Sequence, residues 1–334
     1  MSVLSERLVR YEELIPCRNA FIDTRSPGSD QKENFTIIGP GVAENPDQHV
    51  HIAIPHGFNI GGARQPPGCL NSQHSHLTEE VFVVSQGSWH FTTGVEGNDA
   101  VVRMEEGDII SIPMDLFRGF ENVGDGTGYL YAVLGQDDPG RVLWAPQVFD
   151  MASDYGLVLL ENGGLVDTTL GQKIPEGVAP MPKTSAEQIA QHRVIDDEAL
   201  EQCVVRLADF PFSNNTALTQ GTDVLEAPLI GPASADEKLG ETKLNWSHGF
   251  CVRALKFKPG AFITAHKRFE EEVVYVQDGS IKMLIDGEAL ILNKGDTFTT
   301  PIGAARSFVQ QGDEVALIYV TRRGDTAKAP EFID

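Results

Sequence analysis

His74 and His76 form an HxH pair, and Glu80 follows four residues later. On an extended segment, residues two apart point to one face, so both imidazoles share a side. Glu80 opens the β-branched run EVFVVSQ and can face them across a hairpin. Two imidazoles and one carboxylate make a facial donor set. That set suits a non-haem Fe(II) with open positions for substrate and dioxygen, and Mn, Ni, Co or Zn accept the same donors. His90 lies in SWHFTT, the strand after the Glu80 run, and can face the same pocket as an acid–base group. Arg118 is permanently charged and cannot ligate.

An internal repeat organises the chain. His56-Gly57-Phe58 returns as His248-Gly249-Phe250, Pro67-Gly68 as Pro259-Gly260, His74 as His266 and Glu80 as Glu272, always 192 positions on. Gly107-Asp108 then matches Gly295-Asp296, and Arg118 matches Arg306, at 188. A four-residue difference in one hairpin, near Gly94 to Asp99, explains the change of offset. Each repeat reads as short β-branched and aromatic strands punctuated by Gly and Pro, which predicts a small sandwich or barrel. Pro146 to Tyr155 and Ser185 to His192 read as short helices, the second behind a Thr184/Ser185 cap.

The repeats resemble cupin domains over roughly residues 37–135 and 229–323. In the first, Gly68, CLNSQ, His74-Ser75-His76, LTE, Glu80, VFVVSQ and Gly87 fit the first cupin pattern at every spacing. Gly107, DIISI, Pro113, Arg118 and Asn122 fit the second, with Asp115 in place of the usual Gly and Arg118 in place of the usual His. The second repeat keeps His266 and Glu272 but has Arg268 at the second His. Too few donors remain there, so it is expected to bind no metal, with Arg268 and Glu272 forming a buried ion pair.

The resemblance implies an all-β chain with a few short helices, holding two small jelly-roll barrels. The expected division is a first cupin domain with its N-terminal arm over 1–140, a helical linker over 141–200 and a second cupin domain over 201–334. Length and helical insert look similar to the quercetin dioxygenase-type bicupins. That implies one divalent metal, Fe(II) by preference, on His74, His76 and Glu80. The activity expected is oxygenation of a small oxygenated or aromatic acid. Arg118 has two readings: a two-donor clamp on the substrate anion, or a partner for Glu80 that takes the place of the metal. Rival activities are a non-oxidative isomerase or lyase, with His90 moving a proton, and a metal-free protein that binds small anions or sugar acids.

Composition narrows the partners. Of 334 residues, 48 are Asp or Glu and 26 Lys or Arg, a net charge of −22. Such a surface repels nucleic acid and anionic membrane. No signal peptide or spanning segment is visible, so a cytoplasmic protein is expected, and the resemblance to cupins implies a homodimer. The four cysteines are scattered and read as free thiols.

Overall fold

A computed structural model describes residues 4–333. The chain divides into two compact units. The first consists of Ile15–Ala53 and Asn59–Val204; the second takes residues 4–14, Ile54–Phe58 and 205–333. This differs from the expected division in two ways. Residues 4–14 go with the second unit because Leu8–Val9 pairs antiparallel with Phe298 and Thr297, adding an edge strand to its sheet. The helical stretch after residue 140 is not a free linker: Trp144, Val148, Leu157 and Leu159 pack with Ile22 and Phe117 in a core of the first unit.

In the first unit, one sheet runs Ile109–Ile112, Glu80–Gln86, Gly128–Gly135, Phe58–Gln65, Glu33–Ile38 and Val50–Ile52. The opposing sheet runs Leu143–Trp144, Leu70–Ser75, Arg118–Asn122, Trp89–Thr93 and Ala100–Met104. Phe82 of the first sheet packs against Phe91 and Phe120 of the second, tilted and edge-on, at 5.2 and 5.3 Å between ring centres. That contact closes a sandwich around an apolar interior.

The second unit repeats the order. Thr297–Thr300, Glu272–Asp278, Ala316–Arg323, Phe250–Phe257 and Val224–Ile230 form one sheet. Glu288–Asn293, Ser280–Ile285, Arg306–Gln310 and Phe262–Lys267 lie in the other. Val274, Val276, Ile318 and Val320 meet Ile281, Met283, Ile285 and Phe308 in its core. The four-residue gap falls where the offset predicted it. Residues 94–99 join Trp89–Thr93 to Ala100–Met104, whereas Asp286 and Gly287 alone join the matching strands. Both take positive φ (47° and 87°), as a two-residue hairpin turn requires.

Helices are few and short, Pro146–Asp154, Ala186–Ile189 and Asp197–Gln202. Ser185 caps Ala186–Ile189 in a reciprocal box with Gln188. Among the described residues no helix is long and apolar enough to cross a membrane. The four cysteines are free thiols, three of them buried.

Candidate metal centre

His74 lies near the end of the Leu70–Ser75 strand, and Glu80 opens the facing strand Glu80–Gln86. The two sheets bring the residues together inside the barrel, where His74, His76 and Glu80 are each at most 5% exposed. One donor atom from each lies within 4.8 Å of the others. His74 Nδ1 sits 2.7 Å from the Ser72 carbonyl, so that nitrogen carries the proton and Nε2 keeps a free lone pair. His76 Nε2 is 3.8 Å from Glu80 Oε1, and His76 Nδ1 is buried with no hydrogen-bond partner. Burial, and then the Arg118 charge, hold both imidazoles well below the ordinary histidine range. They are therefore neutral, the form that ligates. Burial pushes the Glu80 carboxyl upward, and Arg118 pulls against it.

Arg118 does not reach into the open cavity as a substrate clamp. Its Nε and Nη2 both donate to Glu80 Oε2, the first at 3.2 Å, and Nη1 donates to the His74 carbonyl at 3.2 Å. The cause is register. Arg118 pairs with His74 across the sheet, which points its guanidinium at the carboxylate rather than past it. Of the two sequence readings, the pairing with Glu80 is the one present. Only Oε2 is engaged, however, and Oε1 stays turned to His76. Asp115, the residue in place of the usual glycine, has φ 57°, a left-handed conformation that aspartate tolerates.

His90 is also placed differently from expectation. Along Trp89–Thr93 the odd positions Trp89, Phe91 and Thr93 are buried and the even ones half-buried. His90 is therefore on the outer face, across from Glu121 and Arg103. The strand alternates as expected, but its phase aims the aromatic residues inward.

Beside the three candidate ligands lies a small cavity of about 80 Å³, walled by Phe21, Asn71, Phe82, Phe120 and Trp144. No lysine or arginine is among its described lining residues. Sequence reading missed Asn71, Trp144 and the residues behind them. Trp144 packs on His74 with ring centres 5.3 Å apart, and its Nε1 donates to Glu44 at 2.6 Å. The Ile22 amide donates to the same carboxyl at 2.8 Å, while burial pushes Glu44 up to about 8.

In the second barrel, the equivalent position is a network of ion pairs. Glu272 accepts from Arg306 Nη1 at 2.7 Å and from Arg322 Nε at 2.8 Å, with Arg268 Nε 3.7 Å away. Glu237 accepts from Arg253 at 3.1 Å and lies within 3.5 Å of Arg268 and Arg322. The Arg268–Glu272 contact expected from sequence is thus the longest of three. Burial raises Glu272, but Arg306, Arg322 and Arg268 together bring it below the usual carboxylate range. His266, pushed down to about 4 by burial, has a buried Nε2 without a partner.

The Cupin domain family matches residues 254–322, in the second barrel. No curated protein matches. Among solved structures, the formate complex of Lactobacillus farciminis oxalate decarboxylase is similar, with a TM-score of 0.61 and 11% identity, covering 100% of this chain and 90% of that one. Bacillus subtilis oxalate decarboxylase is similar at a TM-score of 0.58 and 13% identity, covering 98% of this chain and 79% of that one. Another structure of the Bacillus protein, with a TM-score of 0.56 and 13% identity, concerns its Mn(II) centres. The paired sheets, the repeat, the Cupin domain match in the second barrel and the likeness to these solved structures together show a two-barrel cupin fold.

Proposed function

We propose that the first barrel holds one divalent metal ion on His74, His76 and Glu80 and works as a lyase on a small oxygenated organic acid, decarboxylation being the leading case. One observation carries this reading, the grip of Arg118 on Glu80 Oε2. The guanidinium cancels the carboxylate's charge, and the two imidazoles are neutral, so the four side chains sum to zero. A divalent ion added to them keeps its full double charge, which favours an anionic acid as ligand. The same buried charge opposes loss of an electron from the metal, which favours non-oxidative chemistry over activation of dioxygen. A metal bound there supplies polarisation of a substrate oxygen.

The chain's own residues do the rest. His74 is fixed in the ligating tautomer by Ser72. Phe21, Phe82, Phe120 and Trp144 keep water from the reacting acid. Glu44, which accepts from Trp144 Nε1 and the Ile22 amide, is the group we assign to hold Trp144 against His74. The similarity to oxalate decarboxylases, among them one with Mn(II) centres, supports the choice of lyase over oxygenase and adds Mn(II) to Fe(II) as a first candidate.

The test is elemental analysis of protein purified without chelator, followed by assay on oxalate and other small acids. About one divalent ion per chain and carbon dioxide release without oxygen uptake are expected. Stoichiometric oxygen uptake would return the site to an oxygenase. A wild type without metal would leave a small-anion binding protein.

A further inference from the structure

Behind the cavity wall, Lys32 and Asp23 form a fully buried ion pair, each at most 1% exposed. Asp23 is held by the Ser72 amide at 3.1 Å and by Ser29 Oγ at 3.4 Å. Lys32 Nζ has a second partner: it donates to Asn71 Oδ1 at 2.9 Å. A lysine has no acceptor, so this bond fixes the amide, with oxygen toward Lys32 and nitrogen away from it. Asn71 Nδ2 comes 3.5 Å from His74 Nδ1. That nitrogen already carries a proton, donated to Ser72, and cannot accept another. The Asn71 N–H bonds therefore have no acceptor in this contact, although the residue is 6% exposed and lines the cavity beside the candidate ligands. A buried donor held this way lacks a partner that a ligand can supply.

We propose that Asn71 binds the substrate anion: its amide N–H donates to a carboxylate oxygen of the small acid, and Lys32 and Asp23 are positioning residues that set which end of the amide faces the cavity. This rests on the lyase reading of the same site. It supplies a carboxylate donor that Arg118, committed to Glu80, does not. The Lys32 charge also polarises the amide and strengthens it as a donor. Asp23 cancels that charge, so recognition comes from direction rather than from net charge. The class selected is a compact carboxylate small enough to touch the metal ligands and Asn71 together, the two sites being side by side on one strand.

Calorimetric titration of oxalate into the full-length Mn(II)-loaded protein tests this, with metal content and melting temperature measured in parallel. Asn71→Asp keeps the shape and replaces the donor with an acceptor. It is expected to weaken oxalate binding about 10–100-fold, with metal content unchanged. The double variant Lys32→Met/Asp23→Leu removes both buried charges at once, a change that proteins often tolerate. It frees the amide to turn, and binding should weaken about 3–10-fold at a retained melting temperature. Should the double variant fail to fold, Asn71→Asp decides alone. Unchanged oxalate affinity in a metal-loaded Asn71→Asp overturns the assignment and leaves the lyase reading standing. Loss of metal in Asn71→Asp also overturns it, since the residue would then act through His74. A wild type that takes up no divalent metal overturns both.

Discussion

The two barrels place a glutamate at the same point and surround it differently. Glu80 meets two neutral imidazoles and one guanidinium; Glu272 meets Arg306, Arg322 and Arg268. The carboxyls respond in opposite directions. Burial wins at Glu80, which is raised, and three positive charges win at Glu272, which is lowered. The repeat shows how the second interior was filled. Gly61, on the cavity wall of the first barrel, corresponds to Arg253, and Leu134 on the same wall corresponds to Arg322. Gly62 and Ala132 become Ala254 and Val320. A cavity needs small, uncharged walls beside its ligands, and the second barrel has put buried guanidiniums there instead. The charge network occupies the position where the first barrel sets its candidate ligands.

The sharpest test of that contrast is metal content. His74→Ala/His76→Ala should abolish divalent metal uptake, and His266→Ala should leave one ion per chain, as measured by elemental analysis after dialysis against Mn(II). Two ions per wild-type chain, or metal surviving the first variant, would erase the distinction between the barrels.

Stability should show the reverse asymmetry. Glu272→Gln leaves three guanidiniums without their shared carboxylate, and denaturant unfolding should show a loss of about 3–5 kcal/mol. Glu80→Gln in metal-free protein frees only Arg118 and should cost less. The pH dependence follows from the sign of the shift. The native Glu272 carboxyl lies below its ordinary value of 4.5, so its contribution is fully present above that pH. It fades as pH falls through the depressed native value. The gap between wild type and Glu272→Gln should therefore be constant at neutral pH and close in strong acid.

Much of this arrangement was legible in the sequence. The repeat, its change of offset and the strands beginning at Glu80 and Glu272 follow from local periodicity and turn residues. The HxH spacing and Glu80 pick out the donor set because short-range geometry alone brings them near. Phase was harder. His90 and Phe91 are adjacent, and only packing between sheets decides which faces inward. Partners distant in the chain were harder still, as with Lys32 behind Asn71, Glu44 on Trp144, and Glu237 among the arginines. One signal was available and unused, since the repeat offset sets Gly61 against Arg253 and Leu134 against Arg322. The placement of residues 4–14 with the second unit has no local signal, because a two-residue edge strand carries too little pattern.

A smaller effect should appear in the pH profile of turnover. Glu44 is pushed up to about 8, so it is protonated below that pH and loses its proton above it. Ionisation puts a charge behind Trp144 and the His74 it packs on, so activity should fall as pH rises through about 8, while metal content stays constant. In Glu44→Asp the fall should move to lower pH, because the shorter carboxyl loses part of its packing against Trp144. A profile identical to wild type would show that Glu44 has no influence on the site through Trp144.

The smallest effect is expected at Arg118, where the first barrel comes nearest to the second. Arg118→Lys keeps a positive charge but not the fork that reaches both Glu80 Oε2 and the His74 carbonyl. Glu80 would be held by one bond instead of two, and its free oxygen would be less firmly aimed at His76. Losing an outer partner of a ligating carboxylate costs on the order of 10–100-fold in metal affinity, and retained charge should keep this variant at about tenfold. Arg118→His goes the other way. It removes the positive charge and adds an imidazole at the position where most cupins have their fourth donor. Metal should then bind more tightly, while the net charge offered to a bound acid falls from two to one and oxalate should bind more weakly. If Arg118 excludes metal instead, the wild type will be empty and Arg118→His will create the site. Competitive titration of both variants with a chelating indicator separates these outcomes, because the first account requires metal in the wild type and the second forbids it.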